Sequence, residues 1–153
     1  MKINSITHKS DSLAQRTSEP VVLTQLNSDL NLTLQSQVIN LPNGTSVQVD
    51  GFDEDMKTAC EIYSRVGKLK GSQPDKLASD ILKLILIERH LGGTWRKIIC
   101  FVDTEAAKSL TNSSWLASTC KTFSIEVVTV AIPVNIRESL LRAQTVQDIT
   151  INA

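Results

Sequence analysis

The chain has 153 residues, 41% of them apolar and 21% charged, and its 16 basic residues balance its 16 acidic ones. That length holds one domain with a core large enough to stand without disulfides, and a net charge of zero argues against a protein that clings to nucleic acid by bulk positive charge. Cys60, Cys100 and Cys120 are far apart and form no CxxC pair, so neither a zinc site nor a disulfide framework is suggested and a reduced, cytoplasmic protein is expected; Met1 to Ser10 has no apolar signal-peptide core, and no apolar run of about 18 residues is available to span a membrane.

Residues 1–17 lack apolar periodicity and read as a mobile arm ahead of a single domain over 18–150. Ser18 suits a cap, Glu19 and Pro20 suit a first turn, and Val22, Leu23, Leu26 and Leu30 recur at helical spacing, which predicts a short first helix. Leu32 to Leu41 reads as a strand, and Pro42-Asn43-Gly44 turns it into a second strand over Thr45 to Gly51, because Asn-Gly tolerates the positive φ of a tight hairpin. An acidic turn leads to a third strand, Thr58 to Val66. After a loop, Pro74 opens a helix to about Leu91, which Gly92-Gly93 stops. Leu77, Ile81, Leu84 and Ile85 form its apolar stripe, while Lys76, Asp80 and Lys83 lie along one line.

Lys97 to Val102 is a nearly continuous apolar run, as expected of a strand covered on both faces. Asp103 or Thr104 then caps a helix through about Leu110, and a second helical piece covers Ser114 to Phe123. Ile125 to Ile132 reads as a last strand and Asn135 to Gln147 as a last helix. Helix and strand alternate from position 74 onward, which implies parallel neighbours, whereas the first three strands are hairpin-connected. The expected class is α/β, in the order α-β-β-β-α-β-α-β-α, with helices on both faces of a mixed sheet.

Within this pattern, alternation puts Ser46, Gln48 and Asp50 on the polar face of the second strand and Glu61, Tyr63 and Arg65 on the polar face of the third. If the two strands pair, Asp50 and Glu61 meet on the solvent side. Two carboxylates held together repel unless a positive charge sits between them, and a divalent cation serves best. Magnesium, or manganese, suits such an all-oxygen site, with Gln48 placed to orient a carboxylate or a water. Nearby, Arg65, Lys68, Lys70 and Lys76 face one anion, Asp75, in a loop suited to phosphate; the plainer alternative is a solvated connection.

This arrangement, an acid at the end of the second strand and another in the third with a helix following, resembles the PD-(D/E)XK nuclease superfamily, the restriction-endonuclease-like fold. The stretches VDG, EIYSRVGKLKGSQPDKLASDILKL and SWLA, with a C-terminal helix containing AQ, resemble small bacterial members over about residues 20–147. The resemblance implies a magnesium-dependent nuclease acting on DNA, with Asp50 and Glu61 as the acids and the Ile62 carbonyl as a third metal ligand. It departs from the superfamily at Tyr63, where the motif lysine normally stands. Lys76 is the first choice to replace it, Lys70 the second, and Gln73 a neutral helper. At this size a sequence-specific endonuclease is expected to act as a homodimer or with a partner subunit.

Two rivals remain open. One is a catalytically silent nuclease-fold module for nucleic-acid binding or protein assembly; the other is a plain interaction domain. Other residues carry less. His8 and His90 lack ligand-like neighbours in the sequence, no phosphate-binding GxxxxGK[ST] loop or Ser-His-Asp arrangement occurs, and Trp95 and Trp115 are expected to be packing anchors.

Overall fold

A computed structural model describes residues 2–152, with side chains described from 13 to 146. Its elements are α1 (Lys2–Leu30), β1 (Gln35–Asn40), β2 (Ser46–Asp53), β3 (Thr58–Tyr63), α2 (Gln73–Leu91), β4 (Arg96–Phe101), α3 (Thr104–Ala107), a 3-10 turn (Lys108–Leu110), α4 (Trp115–Thr122), β5 (Ile125–Thr129) and α5 (Val134–Asn152). The five strands form one mixed sheet in sequence order. β1, β2 and β3 pair antiparallel, and β4 and β5 continue parallel to β3. The α/β class, the hairpins and the parallel crossovers agree with the sequence. Among the described residues, no helix is long and apolar enough to cross a membrane.

Two apolar layers sandwich the sheet. On one face Val49, Phe52, Ala59, Tyr63, Ile99 and Phe101 pack under Leu77, Ile81, Leu84 and Ile87 of α2 and Leu116 and Cys120 of α4. On the other, Cys60, Ile62, Ile98 and Cys100 meet Val22 and Leu26 of α1 and Leu140 of α5. β3 is the middle strand, and all six of its residues are buried. It therefore has no polar face, contrary to the expectation for Glu61 and Tyr63. Tyr63, only 1% exposed, belongs to the core and tilts against Phe101.

The first helix starts at Lys2, not at Ser18. The Ser18 hydroxyl donates back to the Gln15 carbonyl at 2.7 Å, an intrahelical bond, and Pro20 sits inside the helix. Ser18, Val22 and Leu26 form its buried stripe, so a small polar residue continues the apolar face where the sequence suggests a cap. The expected arm over 1–17 is thus helical from Lys2; its side chains up to residue 12, including His8, lie outside the described residues. β3 ends at Tyr63 rather than Val66 because Gln144 of α5 takes over: Val66 N–H donates to Gln144 Oε1 at 2.9 Å and Gln144 Nε2 donates to the Val66 carbonyl at 2.8 Å. β5 likewise stops at Thr129, before the expected Ile132.

The β1–β2 ladder contains a bulge. Gln37 pairs with Val49 but Gln35 pairs with Phe52, so three steps of β2 match two of β1, and the extra residue falls at Asp50-Gly51. Here α1 approaches closely: a Cβ on Gly51 would stand 2.9 Å from Leu23 Cδ1 and 3.2 Å from Leu34 Cβ. Gly51→Val is expected to cost about 1–3 kcal/mol through overpacking, read as a lowered urea midpoint; an unchanged midpoint would mean that α1 is not seated as described.

Candidate functional site

The β2–β3 ladder runs Asp53↔Thr58, Phe52↔Ala59, Gly51↔Cys60, and one further step sets Asp50 opposite Glu61. The ladder stops there, and the Asp50 carboxylate takes its place, accepting from Ile62 N–H at 2.8 Å. In an extended strand the N–H and C=O of one residue point to the same edge, so the Ile62 carbonyl faces the same gap. The bulge explains how Asp50 reaches it, since an inserted residue re-aims the side chain that carries it.

Glu61 lies on the α2 side and is only 3% exposed. Asp50 is half-buried and lines a cavity of about 230 Å³ under α1 together with Arg16, Glu19, Pro20, Leu23, Ser36 and Ile62. The acids do converge, but within the fold rather than on the solvent side. Burial, then the charge of Asp50 and a hydrogen bond with it, push the Glu61 carboxyl up from 4.5 to about 9, and Lys83 pulls the other way without prevailing. Near neutral pH Glu61 is the protonated member of the pair. Lys83 Nζ approaches Glu61 Oε1 to 3.0 Å, yet this buried oxygen has no aligned hydrogen bond. The contact is an ammonium beside a neutral carboxyl.

Two more acids join this centre. Burial and the charge of Asp50 hold Glu19 above the usual carboxylate range, with Lys76 and Arg16 opposing. Burial also raises Asp80, against the pull of Lys76 and Lys83. Asp50 acts electrostatically on Glu19, Glu61 and Asp80 alike. Lys83 and Glu19 are absent from the sequence-derived set. The straight line of Lys76, Asp80 and Lys83 on α2 was the available signal for Lys83; the misplaced helix start hid Glu19.

The remaining expected residues are dispersed. Lys76 Nζ sits over the Tyr63 ring, 5.6 Å from its centre, rather than on Glu61. Gln73 Oε1 accepts from the Lys70 backbone amide at 2.8 Å, closing the loop before α2. Gln48 is exposed and donates to Ser36 Oγ at 2.7 Å, which connects it to the rim of the Asp50 cavity. Trp95 is buried and stacks on Phe52, but Trp115, 70% exposed, is not a packing anchor. His90 lies in the last turn of α2.

Asp50, the Ile62 carbonyl and Glu61 would offer oxygen donors to a hard divalent cation only once Glu61 has lost its proton and its oxygen has turned from Lys83. Among the described residues no group of three or more His, Cys, Asp or Glu side chains is arranged to hold a metal. A cation here would depend on Asp50, Glu61 and the Ile62 carbonyl. No protein-family model matches the chain, and neither a curated protein nor a solved structure matches it.

A carboxyl raised on folding binds a proton between its unfolded and folded values, so its contribution to stability falls as pH climbs from 4.5 to about 9. Glu61→Gln keeps the shape and removes the titration. It is expected to melt above the native chain by several degrees near pH 8, at roughly 2–4 °C per kcal/mol, with a gap that widens as pH rises. Thermal melts across that range check this, and a gap that narrows contradicts the protonated, buried acid.

Proposed function

We propose that the protein is a magnesium-dependent nuclease that hydrolyses DNA phosphodiester bonds and belongs to the restriction-endonuclease-like, PD-(D/E)XK class. The observation that carries the reading is the meeting of Asp50, Glu61 and Lys83 at the gap between β2 and β3. The sheet order also supports it, with three hairpin-linked strands, a helix, then parallel strands.

Asp50, Glu61 and the Ile62 carbonyl would hold the magnesium, which supplies charge neutralisation at the phosphate and a more acidic water. Lys83 takes the part of the superfamily's lysine. It reaches Glu61 from α2, one helix beyond the strand where Tyr63 replaces the motif residue. Once Glu61 gives up its proton, Lys83 has an anionic partner and a fixed position from which to steady charge on a phosphate oxygen. Lys76, held on the Tyr63 ring, lies further out and serves the approaching backbone.

The inactive-module reading draws on one observation. Glu61 is so buried that its contact with Lys83 also serves as a structural plug. Cleavage separates the two. Incubated with magnesium and plasmid or single-stranded DNA, the native chain is expected to cut and chelator to stop it. Asp50→Asn is expected to fall to background, Lys83→Ala to lose about 10²- to 10³-fold, and Lys76→Ala to lose far less. DNA left intact by the native chain, with magnesium or manganese, contradicts the nuclease and favours the silent module.

A further inference from the structure

α2 carries a second apolar surface, on the side turned away from the sheet. Its core face is Leu77, Asp80, Ile81, Leu84 and Ile87. On the opposite side Asp75, Ser79, Leu82, Leu86 and Arg89 are all exposed, and they follow one another at intervals of four, three, four and three residues, which sets them on one line along the helix. Leu82, 66% exposed, is the most exposed leucine among the described residues, and Leu86, one turn further on, is 45% exposed. A single leucine on a surface is ordinary. Two on one line, on a helix whose other face is locked into the core, form a preformed ridge that a partner can cover at little cost in ordering.

The sequence along the ridge identifies the partner. Asp75 lies in the first turn and Arg89 in the last, and Leu82 stands midway, seven positions from each. A second α2 laid antiparallel about Leu82 matches the whole line: Leu82 meets Leu82, Leu86 meets the small Ala78, Ile85 meets Ser79, and Asp75 meets Arg89 at both ends. A parallel copy would instead set Asp75 against Asp75 and Arg89 against Arg89. The two charges also suit the helix dipole, which accounts for their ends but not for the bare leucines between them. Apolar positions at alternating spacings of three and four with opposite charges at the ends make the seam of a two-helix coil, and a line that complements itself when reversed is what a twofold interface requires. Lys83 is one residue on from Leu82 and so about 100° round the helix, which leaves its contact with Glu61 outside the seam.

We propose that the outer face of α2 is a homodimer interface, in which two copies of the chain pack antiparallel about Leu82 with Asp75 of each opposite Arg89 of the other. The proposal does not rest on the nuclease reading.

The test is sedimentation velocity of the full chain across the micromolar range, where an interface of one helix pair is expected to associate. Leu82→Asp is expected to leave monomer only, with an unchanged circular dichroism spectrum because the side chain is exposed. Arg89→Asp and Asp75→Arg each set like charges together at both ends and are expected to weaken the dimer about 10-fold, and the double variant Asp75→Arg/Arg89→Asp to restore it. Leu82→Cys should form a disulfide-linked dimer on mild oxidation, because the two copies meet there on the axis, whereas Leu86→Cys, which meets Ala78, should not; the native thiols are buried. A native chain that stays monomeric, a dimer that survives Leu82→Asp, or charge reversals that the double variant fails to rescue overturns the proposal. So does cross-linking of Leu86→Cys in preference to Leu82→Cys. Magnesium-dependent cleavage by a chain that is monomeric throughout would keep the nuclease and lose the dimer, and a dimer with these responses but no cleavage gives the reverse.

Discussion

Two carboxyl groups, eleven residues apart along the hairpin and directly across it, do not readily both carry charge where one of them is buried. The placement of Asp50 opposite Glu61 therefore obliges the fold to supply a proton or a cation there. With its pKa pushed up to about 9, Glu61 keeps its proton near neutral pH, and Lys83 Nζ lies 3.0 Å from it. The surrounding acids, Glu19 from α1 and Asp80 from α2, feel the same field. Helices from both layers thus bring ionisable groups to one break in the sheet.

The break has a backbone cause. β3 lies in the middle of the sheet and is covered on both faces, so an acid at Glu61 is buried under α2. A regular β2 would continue the ladder past Gly51, but the bulge at Asp50-Gly51 ends it and lets the Asp50 carboxylate accept from Ile62 N–H. Gly51 leaves space for Leu23 and Leu34 on the α1 side. The missing side chain at Gly51 lets α1 seat closely, and the bulge beside it turns Asp50 towards the cavity under that helix.

Much of the fold was legible because its signals are local. Asn43-Gly44 marks the first hairpin, Gly92 the stop of α2, and the apolar run at Lys97 to Val102 the doubly covered β4. The convergence of Asp50 with Glu61 was legible too, since strand pairing follows from the hairpin order. What escaped the sequence depends on tertiary contact. Burial of Glu61 arises because β4 pairs on its far side and α2 covers it, which alternation within one strand does not reveal. The bulge needs the register of two strands. Lys83 lies 22 positions from Glu61 and reaches it only once α2 is docked, while Ser18 and Pro20 imitate a helix start inside a longer helix. Trp115 follows the same logic in reverse: an apolar side chain in an amphipathic helix reads as core until the neighbours that cover Leu116 are seen to leave it bare.

The central claim, that Asp50 and Glu61 together form a cation site at the β2–β3 gap, is tested most directly by electron paramagnetic resonance of manganese added to the full chain. Loss of the free-ion signal should correspond to one bound ion in the native protein and be abolished in both Asp50→Asn and Glu61→Gln, with Lys83→Gln still binding. A native chain that leaves the free-ion signal unchanged, or binding that survives Asp50→Asn, would contradict the account.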